Sequence, residues 1–153
     1  MDRRKTVVAL LSACATLRMV RQAAAWTLVT NEEIDKESRA AHPRAAIAPT
    51  PRRGAPGIDV VEPDATKPIK SPFSIHIRFR PEAGASIVPK SFRVKYGWLN
   101  LDITERLVGQ AKVDASGVSA DDAEIPPGDY KITLEITDNL GRIGTRTFEF
   151  RIV

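Results

Sequence analysis

Few residues in this 153-residue chain are of the types that carry chemistry. The chain has two histidines, His42 and His76, and one cysteine, Cys14, so a zinc or copper site with several His and Cys ligands cannot be assembled. His76 alternates with apolar neighbours and is expected on the polar face of a strand. A single histidine there could act as a ligand or a base, but it is more often an ordinary surface residue.

Acidic residues offer one other route to a metal site. Asp121, Asp122 and Glu124 could supply oxygen ligands for calcium, together with Asp129 or Asp138. The sequence lacks the Asp-x-Asp-x-Asp-Gly loop of such sites, and solvated acids on an exposed, irregular strand edge explain the cluster more simply. It also lacks a Gly-x-Ser-x-Gly elbow or an evident pair of catalytic carboxylates. We therefore predict no catalytic residues, no metal, no cofactor and no enzymatic activity.

The segment Tyr96-Gly97-Trp98 is the strongest candidate for a contact site. Glycine permits a bend there, and an exposed Trp98 beside Tyr96 would suit sugar stacking or a protein hot spot. The other interpretation is that Trp98 is the core tryptophan that β-sandwiches commonly bury between their sheets.

The elements that must position these residues are strands. The run 130–137 alternates apolar and polar residues, Asp138-Asn139-Leu140-Gly141 forms a turn, and a second alternating run reaches Val153, as in an antiparallel hairpin. The run 73–79 alternates most clearly and is expected at the centre of a sheet. Further strands are predicted at 57–63, 92–96 and 99–103, and weaker ones at 111–115 and 118–125. Six to eight short strands in 57–153 indicate an all-β antiparallel sandwich.

The residues 125–134 and the turn at 138–141 resemble the last two strands of bacterial immunoglobulin-like and fibronectin-III-like domains. The resemblance implies that Gly128-Asp129-Tyr130 opens the penultimate strand and that the Tyr130 hydroxyl ties back to the preceding corner. It implies nothing specific about function. Periplasmic copper-binding proteins of the CopC type have a similar sandwich, with sites that depend on N-terminal histidines and, in some members, methionine clusters. Because Trp26 would stand at the mature N-terminus and Met1 and Met19 lie upstream of it, the sequence argues against copper binding.

The net charge of +4 does not indicate nucleic-acid binding. Residues 1–25 contain five basic residues and one acid, so the rest of the chain has 18 of each and is neutral. Those first 25 residues have a basic start, a short apolar run and Ala23-Ala24-Ala25, which is typical of a secretory signal peptide. Alternatively, Leu11-Ser12-Ala13-Cys14 resembles a lipobox, in which case Cys14 would be acylated and would anchor the protein in the outer membrane. Both of these alternatives predict export, and an uncleaved or misassigned start is the third alternative.

Prolines, alanines and arginines dominate much of 26–56, so this segment is predicted to be a flexible, disordered tether, although 26–30 could form a short strand or a docking segment. Together these features predict a periplasmic or secreted, non-catalytic binding or structural module of the bacterial cell envelope, in which a protein or another envelope component is the expected partner. The alternative is a carbohydrate-binding module that uses Tyr96 and Trp98. An unrecognised enzyme is a remote third possibility.

Overall fold

The structure is a computed structural model that describes residues 25–40 and 53–153. Because alternating apolar residues favour strands, the described chain is mostly β. In chain order its elements are β1 (Trp26–Thr27), α1 (Asn31–Arg39), β2 (Gly57–Glu62), β3 (Phe73–Arg80), β4 (Ile87–Tyr96), β5 (Leu101–Asp102), α2 (Thr104–Val108), β6 (Lys112–Val113), β7 (Gly117–Glu124), β8 (Gly128–Asp138) and β9 (Ile143–Ile152). Neither helix has the length and apolar content needed to cross a bilayer.

The strands form two sheets that pack face to face. One sheet has the order β1-β7-β3-β2, with β6 beside β7, and the other has the order β5-β4-β8-β9. All neighbouring strands are antiparallel except β1, which runs parallel to β7. The predicted all-β antiparallel sandwich is therefore confirmed, and β3 lies inside its sheet as predicted.

The core lies between the two sheets. Ile75 and Ile77 of β3 are 6% and 5% exposed, and Phe79 packs on Phe92 of the opposite sheet with ring centroids 5.6 Å apart. On β8 the buried residues follow the predicted alternation from Tyr130 to Ile136. Burial of each such side chain contributes about 1.5–3 kcal/mol, and this contact between the sheets holds the sandwich together.

The hairpin of β8 and β9 is the longest pairing in the structure. Its register is continuous from Gly128 opposite Ile152 to Thr137 opposite Ile143. The predicted hairpin and turn are confirmed.

The segments between β4 and β7 differ from the predictions, and so does the position of β7 in its sheet. Only Leu101–Asp102 of the predicted strand 99–103 is a strand, and α2 follows it. The predicted exposed edge at 118–125 is wrong, because β7 has β3 on one side and β6 and β1 on the other. A bulge in β7, at the point where its register with β3 shifts, accommodates its acids. Asp122 lies in this bulge and has φ of 55°.

Residues 26–40, which we call the N-terminal strap, place β1 beside β7 and continue into α1. Leu28 and Val29 are 5% and 0% exposed within the core, and Thr30 forms a capping box with Glu33 at the start of α1. The short strand or docking segment considered for 26–30 is therefore present, whereas the predicted flexible tether at 26–56 is wrong for 31–40, where α1 lies. Residues 41–52 of that tether, residues 1–24 of the predicted signal peptide and Cys14 lie outside the described residues.

Candidate functional site

A turn at the end of β4 places Trp98 at the surface. Gly97 has φ of 68°, a left-handed conformation that glycine adopts without steric cost, and its amide donates to the Lys131 carbonyl at 2.9 Å. The chain therefore leaves the sheet directly after Tyr96 and returns to it at Leu101 in β5.

Helix α1 of the N-terminal strap holds this turn in place through Glu37. The Glu37 carboxylate of α1 accepts hydrogen bonds from the backbone amides of Trp98 and Leu99, the second at 3.2 Å. A Cβ atom at position 97 would clash with that carboxylate, so the glycine also permits the close approach of the helix. The turn and the helix therefore position each other.

Trp98 is partly exposed and its indole ring is held on one face. Its exposed fraction is 36%, and the Lys131 ammonium lies 3.5 Å from the ring centroid, in cation–π geometry. The interpretation of Trp98 as the core tryptophan between the sheets is therefore wrong. The physical reason is the glycine turn, which carries the residue out of the sheet before its side chain can point inward.

A groove of about 640 Å³ lies beside Trp98, between α1 and the adjoining ends of β4, β8 and β9. Aromatic side chains form its floor: the ring centroids of Tyr96 and Tyr130 are 5.8 Å apart, and those of Tyr130 and Phe150 are 5.7 Å apart. Asp129 and Arg151 lie at its rim, joined by a hydrogen bond of 2.6 Å. The groove thus combines an aromatic floor with a charged rim.

Tyr96, which was predicted as an exposed contact residue, is only 3% exposed and belongs to the floor. Burial, followed by the negative charges of Glu37 and Glu33, raises the pKa of its hydroxyl to about 12. Tyr96 therefore cannot stack on a sugar beside Trp98, and the paired Tyr96 and Trp98 surface predicted from the sequence does not form.

Tyr130 closes the corner between β7 and β8. Its hydroxyl donates to the Pro126 carbonyl at 2.7 Å, which is the contact that the immunoglobulin-like resemblance implies. Burial, with a smaller effect of neighbouring Tyr96, raises the pKa of Tyr130 to about 12. The hydroxyl therefore stays protonated and remains a donor across the physiological pH range.

Three of the acids considered for calcium, Asp121, Asp129 and Asp138, have other partners. Asp121 accepts from Ser74 at 3.0 Å and, through its carbonyl, from the Trp26 indole at 2.8 Å, whereas Asp138 is the last residue of β8, where the β8–β9 turn begins. Within 25–40 and 53–153, no group of three or more His, Cys, Asp or Glu side chains is placed to hold a metal ion.

His76 has partners that sequence reasoning did not identify. Its Nδ1 lies 3.0 Å from the Glu62 carboxylate on β2, and its Nε2 lies 2.9 Å from the Ser119 hydroxyl on β7. These residues are up to 57 positions apart in the chain, and only the pairing of β2, β3 and β7 brings them together. The alternation of 73–79 placed His76 on the outer face, but strand order and register could not be derived from it.

No protein-family model and no curated protein matches the chain. Among solved structures, the chain is similar to CopC from Methylosinus trichosporium OB3b, with 16% sequence identity and a TM-score of 0.40. The match covers 62% of this chain and 92% of the other. A similarity at this level carries no argument about ligand or function.

Proposed function

We propose that this protein is an exported binding module of the bacterial cell envelope that contacts a protein partner through the groove beside Trp98. One observation carries the proposal: Trp98 is 36% exposed, yet its backbone is held by Glu37 and its ring by Lys131. An exposed aromatic side chain that is already ordered loses little conformational entropy on binding, which is the property of an interface hot spot.

The surroundings of Trp98 favour a protein over a carbohydrate. An aromatic floor surrounded by charged residues corresponds to the apolar centre and polar rim of protein interfaces. Lys131 covers one face of the Trp98 indole and Tyr96 is buried, so these two aromatic side chains do not form the paired platform that was predicted for sugar stacking.

Export rests on the predicted leader at 1–25. Strand β1 begins at Trp26, the residue that directly follows the predicted cleavage site after Ala25. The intact mass of the protein recovered from cells separates cleavage before Trp26 from acylation of Cys14, and recovery of the complete 153-residue chain from the cytoplasm would contradict export.

The partner contact is tested by photo-crosslinking in cells. A benzophenone amino acid at Ser38, on the groove, is expected to give one crosslinked species that the Trp98→Ala substitution removes. The matched control places the same group at Leu140, which is 62% exposed in the β8–β9 turn. Equal crosslinking from both positions, or crosslinking from Ser38 that persists in Trp98→Ala, contradicts the proposal.

The carbohydrate alternative is tested by fluorescence. Because Trp26 and Trp98 are the two tryptophans of the chain, a Trp26→Phe variant reports on Trp98 alone. We expect its emission to be unchanged by envelope polysaccharides. Saturable quenching by one of them would overturn the choice of a protein partner.

A further inference from the structure

A row of four polar side chains crosses the outer face of the five-stranded sheet. Lys112 of β6 pairs in register with Ser119 of β7, Ser119 pairs with His76 of β3, and His76 pairs with Glu62 of β2. Side chains directly opposite one another on antiparallel strands have Cβ atoms about 4.5–5.5 Å apart, so the register itself places these four side chains next to one another.

Three consecutive members of this row, Ser119, His76 and Glu62, form a continuous hydrogen-bonded chain. The Ser119 Oγ lies 2.9 Å from His76 Nε2, and His76 Nδ1 lies 3.0 Å from Glu62 Oε2. A carboxylate can only accept, so we assign the ring proton to Nδ1, which leaves the Nε2 lone pair to accept from the serine hydroxyl. This is the order of nucleophile, base and orienting acid found in serine hydrolases.

We propose that Ser119 is an activated nucleophile that is acylated by carboxylic esters with good leaving groups. The Ser119 Oγ attacks the ester carbonyl carbon while its proton passes to His76 Nε2. His76 then returns this proton to the departing alkoxide as the carbon–oxygen bond breaks, leaving an acyl group on Ser119. Water, deprotonated by His76, hydrolyses that acyl group and regenerates the serine. Glu62 is a positioning residue that stabilises the imidazolium formed between these steps.

Two cationic residues, Arg78 and Lys112, line the same groove as Ser119. The backbone amides of β7 and β3 are largely engaged in the sheet, so the negative oxygen of the tetrahedral intermediate needs a side-chain partner. Lys112 lies directly opposite Ser119, and Arg78 lies two residues from His76 on the same strand face. Neither forms a salt bridge with any residue that the structure describes.

The site is open to a small substrate. Ser119, His76, Arg78 and Lys112 line a surface groove of about 500 Å³ on the sheet that does not carry Trp98. His76 and Glu62 have side-chain exposures of 49% and 53%, so a reagent reaches them without any movement of the backbone. The nucleophile proposed here does not depend on the groove beside Trp98. The proposal departs from the sequence-based prediction that the chain is not an enzyme.

The test is covalent labelling of the purified full chain with a fluorophosphonate probe, followed by peptide mass spectrometry. In this reaction Ser119 displaces fluoride from phosphorus and its proton leaves through His76. We expect the adduct on Ser119 and not on Ser74 or Ser116, which have carboxylate partners, Asp121 and Asp114, but no imidazole. These two serines control for general serine reactivity within the same experiment.

Variants separate activation from mere exposure. His76→Gln is expected to lower the labelling rate constant about 100-fold, which is the lower range for loss of a general base. Glu62→Gln should also lower the first-order rate constant of labelling, without changing the probe concentration at which labelling is half-saturated. Ser74→Ala should change neither the rate constant nor that concentration. Thermal unfolding of each variant verifies that the sandwich remains folded. An adduct spread over several serines, no adduct, or a rate that His76→Gln leaves unchanged overturns the proposal.

Discussion

At the residue scale, the carboxylate of Asp138 organises the β8–β9 turn. Its Oδ1 accepts from the backbone amides of Leu140 and Arg142, both at 2.9 Å, and its Oδ2 accepts from Arg142 Nε at 2.7 Å. Burial raises the pKa of Asp138, but hydrogen bonds from the Arg142 amide, the Arg142 guanidinium and the Leu140 amide outweigh it, so the pKa lies below the ordinary 3.8. The turn therefore requires the charged form.

We expect Asp138→Asn to lower Tm by about 5 °C or more at pH 7, because the amide cannot replace an acceptor of three hydrogen bonds. A carboxyl group with a lowered folded-state pKa stabilises the native state fully at a pH above its unfolded value. That contribution is lost as the pH falls below about 3.8 towards the folded-state pKa.

The Tm difference between wild type and Asp138→Asn should therefore shrink in acid. Differential scanning calorimetry from pH 7 to pH 3 measures it, with Glu82→Gln, an exposed carboxylate, as the control. A difference that stays constant over this range contradicts a stabilising charge at position 138.

At the element scale, Arg106 of α2 supplies one of the contacts that join the N-terminal strap to the sandwich. Arg106 of α2 donates to both Glu33 oxygens, at 2.8 and 3.0 Å, and to the Leu28 carbonyl at 2.7 Å. Burial raises the pKa of Glu33, but the hydrogen bonds from Arg106 and Thr30 and the Arg106 charge bring it below its ordinary value. One guanidinium thus connects α1, α2 and the buried residue Leu28.

Arg106→Met should loosen the strap while preserving the apolar stem of the side chain. We expect a loss of about 1–2 kcal/mol in the free energy of unfolding, since hydrogen bonds to charged groups are lost at a half-buried position. Amide hydrogen exchange of 31–39 should accelerate more than that of β8.

The matched control is Arg39→Met on the same helix. Its ion pair with Asp35 is 3.8 Å long, and the Arg39 side chain is 81% exposed. Such a pair contributes little to stability, so this variant should behave like wild type. Unchanged exchange in Arg106→Met would show that the other contacts of the strap, among them burial of Leu28 and Val29, hold it without this guanidinium.

The strap also shows what could and could not be predicted from the sequence. The alternation of 73–79 and 130–137 depends on local spacing, so it predicted strands and their buried faces correctly. The strap buries just two adjacent apolar residues, Leu28 and Val29, and then exposes a polar helix, so its local pattern resembles a tether. The Thr30 and Glu33 capping box was the one readable signal for α1. Its contact with Arg106 spans 73 residues and has no local signature.

The same distinction between local sequence patterns and contacts of distant residues applies to the candidate site. Gly97 predicted a bend correctly, but the exposure of Trp98 depends on Glu37 and Lys131, which come from distant elements. The Ser119, His76 and Glu62 row depends entirely on strand order and register, which a single strand's alternation does not determine.

At the scale of the whole molecule, one aromatic cluster closes the end of the sandwich beneath the groove. Phe73 of the first sheet packs on Phe150 of the second with centroids 6.3 Å apart, and Phe150 stacks on Tyr130, which in turn contacts Tyr96. Both tyrosines of the protein belong to this cluster. Their ionisation therefore reports on the integrity of the junction between the two sheets.

Because burial raises the pKa of both hydroxyls to about 12, the folded state binds their protons more tightly than the unfolded chain, where the value is 10.0. The resulting stability is fully present below pH 10 and is lost as the pH rises from about 10 towards 12.

In the folded protein at pH 10, tyrosinate absorbance should therefore remain well below half of its final value. The chain unfolded in urea should reach about half at the same pH. Tyr130→Phe should halve the total absorbance change and leave Tyr96 titrating late, because burial acts on each ring separately. If the folded and unfolded chains titrate together, water reaches these hydroxyls, and the aromatic cluster does not seal this end of the sandwich.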